Sequence, residues 1–234
     1  MQIKEWLLKE YNLQVVFDAM ANYGACDIPK ESLLKDLNID VLIQIGHLPI
    51  PSMKKENRDI PILFMNARST IPVLPIIKKS IPKLIGSCIG LITTAQHVHL
   101  LEDMKTILEK HGLKVCIGAG DDRIFCSGQV LGCNFSVATN LTNDIDSFLF
   151  VGSGFFHPLG LFLATDKPVI VADPYTNTVI DSQDIHEKKQ QILRQRYGAI
   201  TFAKQAKIIG IIIGLKPGQM RFDLAQNLQK KIEE

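Results

Sequence analysis

At 234 residues, 46% of them hydrophobic, the chain can bury a substantial core, and its formal net charge of +2 gives no reason to expect general nucleic-acid binding. No run approaches the roughly 18–20 uninterrupted apolar residues of a membrane span, and a secretory leader is not expected. Five cysteines, an odd number and widely dispersed, argue against a disulfide framework and for reduced thiols in the cytoplasm.

The chain opens in the tail of a helix that runs into a strand, LLKEYNLQVVFDA (7–19), followed by a cysteine loop, NYGACD (22–27). DVLIQIG (40–46) and PILFMN (61–66) read as strands. Between residues 49 and 82 lie six prolines and the charged run KKENRD, which reads as loops around one strand. IGLITTAQ (89–96) begins a more complete unit. Val98, Leu101, Met104 and Leu108 then recur at helical spacing, with Gly112 as a C-terminal stop. A strand within ILEKHGLKVCIGA (107–119), a second cysteine loop, GQVLGCNFS (128–136), and the strands DSFLFVG (146–152) and PVIVAD (168–173) complete that unit. Near the end, KIIGIIIG (207–214) reads as a strand, followed by a turn bearing Gln219 and an amphipathic helix. These strands are short continuous apolar runs rather than alternating ones, the signature of parallel strands covered on both faces. The predicted fold is α/β, built of tandem homologous units, each a short parallel sheet flanked by helices.

The repetition is internal to the chain. Shifted by 100, residues 7–19 lie over 107–119, with Leu8 on Leu108, Leu13 on Leu113, Val15 on Val115 and Ala19 on Ala119. At a shift of 106, DVLIQIG falls on DSFLFVG, and at 107 PILFMN falls on PVIVAD. A period of about 100 residues fits duplication of a small domain rather than a solenoid. The expected division is 1–84, a first α/β domain without its first strand; 85–184, a complete second domain; and 185–234, the start of a third. Partial units on both sides of a complete one suggest a fragment or a gene model with wrong ends.

Four groups can carry chemistry. Cys26 and Cys133 stand at matching places of the repeat, 107 positions apart (133 minus 26), beside Gly24 and Gly132 in loops after strands. A buried cysteine that only packs is the plain alternative, but matched positions favour a ligand. Cys88 and Cys116 lie in apolar strand runs and read as core, and Cys126 as a spare thiol. In VGSGFFHPLG (151–160), Gly152, Ser153 and Gly154 can present N–H groups to an anion, and His157 reads as a base or a structural histidine. TTAQHVH (93–99) places Gln96, His97 and His99 after a strand, and DPYT (173–176) follows another and reads as a turn.

NYGACD, TTAQHVH, GQVLGCNFSVAT, LFVGSGFFHPLG and ADPYT, in this order, resemble the archaeal diphthamide-synthesis family of 2-(3-amino-3-carboxypropyl)histidine synthases, over about residues 13–219. The resemblance implies three homologous α/β domains, each giving one cysteine to a [4Fe-4S] cluster. Cys26 and Cys133 take the first two ligand positions. The third belongs to a CPR-like motif that these 234 residues do not contain. In the family the cluster cleaves S-adenosylmethionine, and a 3-amino-3-carboxypropyl group passes to a histidine of translation elongation factor 2. The resemblance makes Gln96, Gly152, Ser153, Gly154, His157 and Gln219 candidates for the adenosylmethionine pocket, and it implies a homodimer with an electron donor it does not identify. It also leaves apolar strand edges at 208–213 unpaired. The alternative is a non-catalytic partner subunit or fragment that binds ligand or partner without a complete cluster. A cytosolic α/β ligand-binding protein whose cysteines are only packed is a third reading.

Overall fold

The computed structural model describes residues 2–20, 22–55, 58–215 and 220–233. Its centre is a five-stranded sheet of order β4-β3-β5-β6-β7, made of β3 (Cys88–Thr93), β4 (Lys114–Cys116), β5 (Ser147–Val151), β6 (Val169–Asp173) and β7 (Thr178–Ile180). All neighbours are parallel except β6 and β7, which form an antiparallel hairpin that the sequence reading missed. A separate two-stranded parallel sheet joins β1 (Leu42–Ile45) to β2 (Ile62–Met65).

Alternation along the strands builds two cores. Ile89, Leu91, Leu149, Val151, Ile170 and Ala172 face helices α3 (Leu74–Ser80) and α4 (Leu101–Lys110), where Ile76, Ile77, Met104 and Leu108 are buried. On the other face, Ile92, Phe148, Phe150, Val169 and Val171 pack against Val137 of α5 (Ser136–Thr139), Leu161 and Phe162 of α6 (Phe156–Thr165), and Ile185 of α7 (Ser182–Ala203). Covering on both faces is why these strands read as continuous apolar runs. A Cβ at Gly90 would fall 2.5 Å from the Phe148 ring, so the one glycine within β3 makes room for a phenylalanine of the neighbouring strand.

The duplication is visible in backbone bonding. β1 and β2 pair Leu42 with Ile62, and β5 and β6 pair Phe148 with Val169, at the same offsets of 106 and 107 (148 minus 42; 169 minus 62). The flanking bonds repeat as well. Leu42 N donates to Pro61 O (3.0 Å) as Phe148 N does to Pro168 O (2.8 Å), and Gly46 N to Met65 O (2.8 Å) as Gly152 N to Ala172 O (3.1 Å).

Three expectations change. Helix α1 (Gln2–Tyr11) ends where predicted, but no strand follows over residues 13–19. The matching strand β4 pairs only with β3, and among the described residues no counterpart of β3 precedes this segment, so it has no ladder to join. The same reason removes the predicted strand at 207–214, where Ile208 and Ile212 are 92% and 97% exposed. The proline-rich stretch contains α3 as well as a strand, because Pro75 sits in the first turn, where its missing N–H costs nothing. Helices α2 (Glu31–Asp36) and α8 (Phe222–Glu233) complete the chain, α8 with no buried residue.

Candidate functional site

The two cysteines occupy twin turns. Asp27 N donates to Gly24 O at 2.9 Å, and at the same offset of 107 Asn134 N donates to Leu131 O at 3.2 Å, so Cys26 and Cys133 are each third in a closed four-residue turn. Each turn is fastened from within its own unit. Gln44, buried on β1, donates through Nε2 to Gly24 O at 2.9 Å, and the buried Asp27 carboxylate accepts from Tyr23 N. In the second unit, buried Asn134 donates through Nδ2 to both carboxylate oxygens of Asp121 at 2.9 Å and accepts from Ser136 N. That amide holds the Asp121 carboxyl below its usual pKa. Cys26 is half-buried and Cys133 exposed.

Topology brings the second turn to the carboxyl ends of the strands. β3 sends the chain to β4 on one side and then to β5 on the other, which makes the β3–β5 junction a switch point, where parallel sheets open a crevice. Residue 129 bridges Thr93 at the end of β3, flanked by Thr93 N to Gly128 O and Val130 N to Thr93 O, both 2.9 Å. The Cys133 turn therefore starts at that end. Gly152, Ser153 and Gly154 follow β5 at the same end, with Gly154 in a left-handed conformation (φ 75°). The two loops touch: a Cβ at Gly132 would lie 2.5 Å from the Phe156 ring.

Ser153 Oγ donates to Asp173 Oδ2 at 2.8 Å, while Asp173 Oδ1 accepts from Tyr175 N and Thr176 N. The DPYT segment is thus a turn that also holds the glycine loop. His157 is half-buried, stacked on Phe150 at 5.9 Å between centroids, and burial pushes its pKa below the ordinary value. Gln96 links the units. Its side-chain Nε2 donates to Gly46 O at 2.9 Å, joining the end of β3 to the end of β1, and its backbone oxygen accepts from Ser69 N at 3.0 Å. Gln219 lies outside the described residues. Cys88 and Cys116 stand half-buried on β3 and β4, Cys116 packed against the core; Cys126 is half-buried, and burial raises its pKa. His97 is 1% exposed with neither ring nitrogen bonded, and His99 is exposed.

Sequence reasoning missed the residues that fasten the turns. Asp27 and Asn134 were detectable, since each follows its cysteine at the same offset. Arg123, whose Nη2 approaches Cys133 Sγ at 3.6 Å, carried no motif signal. Two accessible soft thiols on twin turns suit two corners of a thiolate-bound iron–sulfur group. Among the described residues no set of three or more histidine, cysteine or acidic side chains comes together as a metal site.

A family model for the diphthamide synthesis protein matches residues 1–234. The 2-(3-amino-3-carboxypropyl)histidine synthase of Pyrococcus horikoshii is 39% identical over 231 residues, 97% of this chain and 63% of that protein. The enzyme of the same description from Methanocaldococcus jannaschii is 26% identical over 97% of this chain and 60% of its own length. The crystal structure of Dph2 from Pyrococcus horikoshii with a 4Fe-4S cluster matches with a TM-score of 0.86 at 38% identity, covering 99% of this chain and 65% of that one. The chain spans less than two thirds of the length of these relatives. On the family match across its whole length, the chain belongs to the diphthamide-synthesis family.

Proposed function

We propose that this chain serves the first step of diphthamide biosynthesis in the cytoplasm, the transfer of a 3-amino-3-carboxypropyl group from S-adenosylmethionine to a histidine of translation elongation factor 2. The observation that carries the proposal is the pair of twin turns presenting Cys26 and Cys133 at the same offset of 107. In this reading both thiolates hold a [4Fe-4S] cluster, and a third cysteine comes from the part of the family's length that this chain does not span. When bound, the cluster supplies the one-electron reductive cleavage of the sulfonium bond to the aminocarboxypropyl carbon, with methylthioadenosine as the other product and an external reductant as electron source.

The chain's own residues orient and bind. The N–H groups of the loop after β5 face the anionic end of the substrate, and Asp173 holds Ser153 in that wall. Gln96, which follows β3, and Gln219 belong to the same pocket in this reading. His157, kept neutral by burial, offers a neutral imidazole rather than a cation near the sulfonium. Division at 1–84, 85–184 and 185–234 and assembly as a homodimer belong to the same reading.

Anaerobic reconstitution with iron and sulfide should give a brown protein. Either Cys26→Ala or Cys133→Ala should lower bound iron, and the double variant should abolish it. Undiminished iron in the double variant rules out the ligand assignment. Methylthioadenosine formation after reduction, with label transferred to elongation factor 2, marks catalysis. Full iron loading of a folded sample without methylthioadenosine instead supports the non-catalytic subunit or fragment.

A further inference from the structure

Although duplicated in backbone, the two cysteine turns differ in the charged side chains around them. Cys26 is followed by a buried carboxylate, Asp27. Cys133 is followed by a neutral amide, Asn134, and has a half-buried arginine beside it, Arg123 Nη2 reaching Sγ at 3.6 Å, within hydrogen-bond range for sulfur. The approach is built rather than incidental. Arg123 N donates to Asp121 Oδ1 at 3.0 Å, Asp121 N donates to Ser136 Oγ at 3.0 Å, and both Asp121 oxygens accept from Asn134, the residue after the cysteine. One carboxylate therefore ties the arginine's backbone and the cysteine's turn together. A neighbouring contact, Ser52 N to Asp122 O at 3.2 Å, braces the same loop from the first unit.

We propose that Arg123 is a positioning residue for the Cys133 sulfur and that its cation raises the reduction potential of an iron–sulfur group held there. This rests on the cluster reading given above. Adding an electron makes the group more negative. A guanidinium donating an N–H to a ligand sulfur stabilises that added charge more than it stabilises the oxidised form. Arginine suits the task because it keeps its charge at every working pH and offers several donors in a fixed plane. The potential is accordingly biased from the Cys133 side, the side that touches the glycine loop.

The test is a spectroscopic redox titration of the reconstituted protein beside Arg123→Gln and Arg123→Lys, with iron content and circular dichroism measured in parallel. Arg123→Gln should keep its iron and titrate at a more negative potential, and Arg123→Lys should lie closer to the unaltered protein. Iron loss from the folded Gln variant but not from the Lys variant equally supports a required cation. An unchanged potential at full iron, or iron loss from both folded variants, overturns the role of Arg123 while leaving the cluster reading intact. Absence of iron from the unaltered protein sinks the cluster reading itself and the proposal with it.

Discussion

Single positions show how closely function and packing are interleaved. Gly118 lies just past β4, where a Cβ would fall 1.9 Å from the backbone carbonyl oxygen of Val137 in α5. A backbone atom cannot step aside, so Gly118→Ala should destabilise by about 1–3 kcal/mol, which thermal unfolding reads as a Tm lower by roughly 2–4 °C per kcal/mol. Gly198, inside α7 with nothing within 4 Å of where a methyl group would stand, is the opposite case. There alanine should stabilise by about 0.5–1 kcal/mol through reduced unfolded-state entropy, checked by the same melt. The sequence identified both cysteines because duplication makes equivalent positions stand out. It could not identify Arg123, whose meaning comes from the sulfur it approaches and not from its neighbours in the chain.

At the level of elements, continuous apolar runs became strands wherever a partner strand was present. Phe148 illustrates the depth of this core: fully buried on β5, it rests where Gly90 leaves room in β3. Phe148→Ala should cost about 3–5 kcal/mol, visible as a lowered midpoint in urea denaturation, since the rigid sheet cannot collapse into the void. Gln96 works between elements, bonding the end of β3 to the end of β1. Gln96→Ala should lose about 1 kcal/mol and increase hydrogen exchange at Gly46 and Ser69 before that of β5, the reverse order counting against a linking role. The segments at 13–19 and 207–214 share the strand-like composition of β4 and β3 yet form no ladder. β propensity describes fit to a pleated surface, and that surface requires a neighbour.

Across the whole molecule, three histidines shape the response to pH. Burial lowers the pKa of His47, His97 and His157 from an ordinary 6.5, so below that value the unfolded chain binds protons that the folded chain refuses. Stability should therefore rise with pH up to about 6.5 and flatten above it; a melt series across that range that showed no slope would contradict the burial of these rings. Large apolar side chains remain open on the β1–β2 sheet, including Ile45 and Leu63, and on α8, including Leu224 and Leu228. By itself the sequence determined the α/β class, the period near 100 residues, most strands and the paired cysteines, because hydrophobic runs and duplication are properties of order along the chain. Tertiary structure alone decided which predicted strands survive, how Gln96 reaches Gly46 across 50 positions, and that Arg123 reaches the sulfur of Cys133. Those outcomes depend on which segments the fold returns to one another, and side-chain bonds and strand ladders exist only after that return.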